Sequence, residues 1–140
     1  MREILFRGIR KDTHELVYGF YGEYFNGKKN ISCISVVDTH AIAGSFCYEV
    51  IPETVSQFTG LYDKNGVRIW ENDIVRYNDL AFNPNIGRFE NMIFTSAVTY
   101  NLDNGCFSPF EPDTFESYIR AENVEVIGNR FDNPELLKGK

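Results

Sequence analysis

The run from Phe58 to Val75 constrains the fold of this chain more than any other segment. It holds two sites of tight reversal, Asp63–Gly66 and Glu71–Asp73, set between short runs rich in β-branched and aromatic residues. Asn65-Gly66 between alternating apolar runs is the strongest short-range hairpin signal, because both residues tolerate positive φ. Beyond it, Val67 and Ile69 fall on one side of a strand and Arg68 and Trp70 on the other. Glu71, Asn72 and Asp73 then reverse the chain, and Ile74-Val75-Arg76-Tyr77 resumes as strand. Asp73 is placed to accept amides of its own turn in Asx fashion. Turn construction therefore outweighs catalysis as the role of Glu71 and Asp73. The whole run reads as a compact β-meander.

Strand signals dominate the rest of the chain as well. Glu3–Ile9, Glu15–Phe25, Ile31–Val37 and Phe46–Ile51 read as successive strands. Gly19 and Gly22 mark a bend or bulge in the second of these. Asp38–Gly44 reads as irregular, with room for a helical turn, and Glu53–Ser56 as a linker. The polar, Asn-rich run Asn78–Asn91, with Pro84 and Gly87, reads as a long mobile loop. Met92–Tyr100 resumes as strand, and Asp103-Asn104-Gly105 turns the chain into Cys106–Phe110. Asp113 is placed to cap a helical turn over Thr114–Ile119. Asn123–Gly128 is a last strand. Asn133-Pro134-Glu135 opens a short terminal helix. The predicted class is mostly β: a small, partly open SH3-like barrel over residues 57–140, an N-terminal β subdomain over 1–56, and minor helical turns.

The stretch Gln57–Val75 resembles the hallmark of the YopX family of bacterial phage and prophage proteins. That hallmark runs Gln-(Tyr/Phe)-Thr-Gly-Leu-x-Asp-Lys-Asn-Gly-x-x-Ile-(Tyr/Trp)-Glu-Gly-Asp-Ile-Val. The opening Met1-Arg2-Glu3-Ile4 with Phe6-Arg7 is similar to the family's first strand. Val124–Asn129 followed by Asn133-Pro134-Glu135-Leu136-Leu137 is similar to its closing signature. One position departs: Asn72 stands where the family usually has Gly. Asn is the next most tolerant residue of left-handed backbone, so the turn is expected to survive. The resemblance implies the same fold and a phage origin, and it supplies no reaction.

Composition narrows the function classes. The chain has 140 residues and a net charge of −6, which argues against broad contact with a phosphate backbone. No apolar run approaches the roughly 20 residues that span a bilayer, and Met1–Arg7 lacks a signal-peptide core. A bacterial cytoplasm is the expected compartment. Cys33, Cys47 and Cys106 are odd in number, widely spaced and in apolar contexts, so buried reduced thiols are expected.

Candidate chemistry is sparse. His14 and His40 have no neighbours at metal spacing, and His14 reads as a solvated turn residue. Asp38 and His40 beside Cys47 make a weak zinc pattern. Asp63–Gly66 mimics part of a calcium loop, but the glycine comes too early and the terminal Glu is missing. Glu111, Asp113 and Glu116 form an acidic group that suits a cation or basic partner, with a solvated face as the plainer reading. No phosphate loop, Cys-x-x-Cys or nucleophile elbow occurs, so no cofactor or metal is expected.

Three functions remain in view. The first is a non-enzymatic interaction or assembly module, self-associating through the meander or the N-terminal strands, with a host or phage protein as a further partner. Tyr62, Trp70 and Tyr77 on neighbouring strands would give it an aromatic surface unless the core takes them. The second is a divalent-metal hydrolase or nuclease using Glu71 and Asp73 with Asp103 or Glu111. The third is single-stranded nucleic-acid binding by base stacking.

Overall fold

The structure, a computed structural model, describes residues 1–37, 45–111 and 119–138. Strand accounts for 57% of these, and the helical pieces among them are short 3-10 turns. The all-β class therefore stands. The irregular segment 38–44, with Asp38 and His40, and the capped turn at 112–118, with Asp113 and Glu116, lie outside the described residues.

Contacts divide the chain into two units, Met1–Phe58 and Thr59–Lys140. In the first, β1 (Phe6–Ile9), β2 (Leu16–Phe25), β3 (Asn30–Val37) and β4 (Ser45–Glu49) form an antiparallel sheet in the order β4-β3-β2-β1. The opening residues of β5 (Ser56–Tyr62) pair with β1 through Arg7↔Ser56 and Phe6↔Gln57. Alternation sends Val17, Ile34 and Val50 to one face, where they form a core with Phe6, Tyr21, Val36, Tyr48 and Val55 packed against it. A single bridge, Arg10↔Val50, brings the end of this sheet back toward β1.

Gly19 explains how β2 serves two neighbours. Residues 16–19 pair with β1 and residues 20–25 pair with β3. At the changeover a Cβ on residue 19 would overlap the backbone carbonyl of Ser35. Gly22, three residues on, has open space where its Cβ would be. Of the two glycines, only residue 19 is required by close backbone approach.

The segment expected as a linker is bonded into the first unit. Pro52–Thr54 makes a 3-10 turn, and the Thr54 hydroxyl accepts from the Ile9 amide at 2.9 Å while donating to the Ile51 carbonyl at 2.6 Å. Thr54 and Ser56 are both buried. The unit boundary instead falls within β5.

In the second unit the later half of β5 forms a hairpin with β6 (Arg68–Trp70), closed by Asp63 N–H to the Val67 carbonyl at 2.8 Å. β7 (Asp73–Asn83), β8 (Arg88–Ala97) and β11 (Glu125–Asn129) form a sheet in the order β11-β7-β8. β9 (Thr99–Asn101) and β10 (Cys106–Ser108) make a separate ribbon. Ile69, Val75, Val98 and Val124 are the fully buried core, with Tyr77, Phe107 and Val126 among the residues packed on it.

These sheets do not close into a barrel. Closure needs curvature, and bulges supply it. The β7–β8 ladder runs for ten opposed pairs without a register shift. The β11–β7 ladder shifts register between Val126 and Gly128, and involves only Asp73–Arg76 of β7.

The β7–β8 ladder also overturns the expected loop at 78–91. Asn78–Asn83 and Arg88–Asn91 are strand, and the turn is confined to residues 84–87. Asn83 builds the turn by accepting Asn85, and its carbonyl accepts Ile86 and Gly87. Pro84 sits in that turn, where it interrupts no ladder. The terminal helix expected at Asn133 is a 3-10 turn, Pro134–Leu137, without a side-chain cap. Asn133 Oδ1 instead accepts from the Asn129 amide at 3.3 Å, in space left by Gly128.

Two glycine positions give a direct test. Gly19→Ala is expected to destabilise by about 3 kcal/mol or more, because the methyl group meets rigid backbone. Gly22→Ala is expected to be close to neutral in the same urea unfolding experiment. At Gly66, where φ is 76° and nothing lies near, Gly66→Ala is expected to cost about 1–2 kcal/mol from backbone strain alone.

Candidate interaction surface

Asp63, Asn65, Gly66, Asn72 and Asp73, singled out from the sequence as turn residues, shape the turns of the second unit. The buried Asp63 carboxylate accepts from Asn65 N–H at 2.8 Å, Val67 N–H at 2.9 Å and Val126 N–H at 3.0 Å. The first two close the hairpin. The third ties it to β11, and the Lys64 amide to the Val124 carbonyl at 3.0 Å reinforces the tie. Burial pushes the Asp63 carboxyl upward, but the Val126, Val67 and Asn65 amides and the neighbouring Lys64 outweigh it and hold it below its ordinary value of 3.8. Asn72 adopts φ of 70°, the left-handed geometry expected for its position. Asp73 is buried and accepts from the Trp70 amide at 2.8 Å, a bond back across the turn that differs from the two-residue forward bond of the expected Asx turn.

Of the carboxylates proposed for metal chemistry, Asp73 and Glu111 have other partners. Glu111 accepts from Ser108 Oγ at 2.6 Å, Asn104 at 3.1 Å and Asn101 at 3.4 Å. Its carboxyl is held below the usual range by the Ser108 and Asn104 bonds, with burial opposing them. It therefore fastens the β9–β10 ribbon to the chain that follows. Among the described residues, no group of three His, Cys, Asp or Glu could hold a metal ion. His14 is exposed at φ of 60° in the turn between β1 and β2.

The three aromatic residues expected on one surface are divided. Trp70 is 4% exposed and belongs to the interior. Tyr77 is half-buried, packs on the core and stacks with Phe94 at 5.9 Å between centroids. Tyr62 is exposed and lines a recess of about 440 Å³ with Leu61, Phe110, Ile119 and Arg120. The three do not form one aromatic platform.

The exposed apolar surface that the structure does form lies on the β7–β8 arm. Directly opposed residues share a face, which groups Asn78, Leu80 and Phe82 with Ile93, Asn91 and Phe89. Leu80, Phe82, Phe89 and Ile93 are 63%, 53%, 67% and 71% exposed. The Phe82 and Phe89 rings meet edge-on at 5.5 Å. From Asn78 outward this face carries no charge. At its base Arg76 is paired with Glu125 at 2.8 Å. Asp79, Arg88 and Glu90 occupy the opposite face, where Glu90 accepts from Asn83 at 2.6 Å.

A second exposed row, Leu16, Tyr18, Phe20 and Tyr24 on β2, differs in kind. The exposed Glu49 lies across from Cys33 on that same face, which is therefore charged, while Arg7 opposite Tyr18 is buried. In the sequence the arm is masked because its asparagines and Pro84 signal a loop, while the period-two spacing of Leu80, Phe82, Phe89 and Ile93 signals strand.

Cys33, Cys47 and Cys106 are all free thiols, but they are not all buried as expected. Cys33 is buried, Cys47 is exposed and Cys106 lies between. Burial, then the neighbouring Cys47 thiol, pushes the Cys33 thiol up to about 11. Near pH 8, iodoacetamide is expected to modify Cys47 well before Cys33, and Cys33 only on unfolding. Peptide mass mapping over time checks this order.

Asp63→Asn is expected to destabilise by about 2–4 kcal/mol, since an amide nitrogen would face backbone donors in a buried site. The pH dependence has a definite sign. A carboxyl held below 3.8 when folded contributes stability above that value and loses it as pH falls through the lowered one. Unfolding experiments in acid are expected to show a smaller loss for Asp63→Asn than for the wild-type chain.

No helix among the described residues is long and apolar enough to cross a membrane. Comparison with curated proteins gives no match. Among solved structures, the chain is similar to the crystal structure of protein EF1440 from Enterococcus faecalis. The TM-score is 0.54 and the identity 25%, over 99% of this chain and 100% of that one. The family model for the YopX protein matches residues 5–138. That match takes in the hallmark turns, the β7–β8 arm and the closing strand, and on it the chain belongs to the YopX family.

Proposed function

We propose that this YopX-family chain is a non-enzymatic interaction or assembly module of phage or prophage origin, acting in the cytoplasm of a bacterial host. The observation that carries the reading is the uncharged apolar face of the β7–β8 arm. A two-stranded ribbon has too little packing to be stable by itself. An apolar face at its outer end is most stable when something covers it. Among the polar groups that could serve catalysis, Asp63 and Asp73 are committed to backbone amides and Glu111 to Ser108 and Asn104.

Calorimetry separates this reading from the metal-hydrolase alternative. Titration of the full chain with magnesium, manganese and zinc is expected to show no saturable binding at micromolar affinity. A saturable isotherm lost in Glu111→Gln would replace the proposal with the enzymatic one. An electrophoretic shift at low salt with single-stranded DNA would favour the nucleic-acid reading, and none is expected for a chain of net charge −6.

A further inference from the structure

We infer that the partner covering the arm is a second copy of this chain, packed face to face and antiparallel about a two-fold axis through the Leu80–Asn91 row. The inference rests on the interaction-module reading and names its partner.

Charge is the first argument. At a net charge of −6, two copies repel each other over most of their surfaces. Association is least opposed where neither copy presents a charge. The arm's apolar face meets that condition, since Asp79, Arg88 and Glu90 all lie on the reverse side. The exposed row on β2, which shares its face with the exposed Glu49, does not.

Area is the second. With roughly 200 Å² for a fully exposed large side chain, the four apolar residues offer about 500 Å² on each copy. A symmetric contact uses the same patch twice, giving about 1,000 Å², the floor for a specific interface.

Shape and hydrogen bonding are the third. The face has three rows: Phe82–Phe89 at the tip, then Leu80–Asn91, then Asn78–Ile93. An antiparallel two-fold through the middle row sets the aromatic row of one copy on the smaller Asn78–Ile93 row of the other. Large side chains then meet small ones, as packed cores require. The same axis brings Asn91 to Asn91. An amide carries both donor and acceptor, so it complements its own copy without a charge.

The test uses the full chain. Sedimentation velocity at about 100 μM is expected to give twice the monomer mass, the range where an interface near 1,000 Å² is populated. Leu80 and Phe89 are exposed, so Leu80→Glu and Phe89→Glu are expected to keep the wild-type circular dichroism. Each is expected to weaken the dimer about thirtyfold or more, as loss of a central anchor does. Arg88→Glu, on the reverse face, is expected to leave the mass unchanged. Asn91→Cys is expected to give a covalent dimer under mild oxidation, and Arg88→Cys is not.

A monomeric wild-type chain would overturn the inference. So would a dimer that survives both Leu80→Glu and Phe89→Glu, although self-assembly through another surface would then leave the interaction-module reading in place. A monomer that binds a different phage or host protein through Phe89 would likewise overturn the second copy and keep the broader reading. Saturable metal binding lost in Glu111→Gln would remove the broader reading itself.

Discussion

The second unit depends on one buried carboxylate. Asp63 collects three backbone amides, two from its own hairpin and one from Val126, 63 residues further on. A charge this deep in the protein is costly unless its lone pairs are satisfied. Here backbone donors satisfy them, and those donors would otherwise be left unpaired at a turn and at a strand start. The carboxylate therefore does more than shape a loop. It fixes β11 against the β5–β6 hairpin, and β11 in turn pairs with the first residues of β7. Val124, just before β11, belongs to the buried core beside Ile69 and Val75. Charge, turn and core thus reinforce one another in one small region.

Local features of this region were legible in the sequence. Asn65-Gly66 and the left-handed Asn72 follow from side-chain chemistry within a few residues, and both are found in place, while Asp73 serves its turn through the amide of Trp70 behind it. The tie from Asp63 to Val126 was not legible, because nothing in either segment encodes a partner so far along the chain. The division of Tyr62, Trp70 and Tyr77 was also beyond reach. Strand alternation tells which residues share a side, but not which side the core occupies.

The arm shows a different limit. Its apolar residues alternate with period two, a pattern that specifies strand. They are spread among asparagines, which composition assigns to loops. In the folded chain the asparagines are compatible with strand for local reasons: Asn83 builds the turn, while Asn78 and Asn91 stand on an exposed face. Composition averages over these roles, whereas alternation preserves them. The register of ten opposed pairs then follows from a turn placed at residues 84–87.

The hallmark and the arm divide the labour of the second unit. In the hallmark, Thr59 donates to the Ile69 carbonyl, Asp63 and Asp73 accept backbone amides, Lys64 pairs with Glu125, and Ile69, Ile74 and Val75 are fully buried. Groups so committed are held by the fold and have little left to offer a substrate or partner. A motif can thus be diagnostic of a family while specifying only architecture. If the chain is an interaction module, recognition falls to side chains that the fold does not consume. Among the described residues of this unit, one such group is the row of Leu80, Phe82, Phe89 and Ile93, carried outward by a hairpin whose base the hallmark secures through Ile74 and Val75.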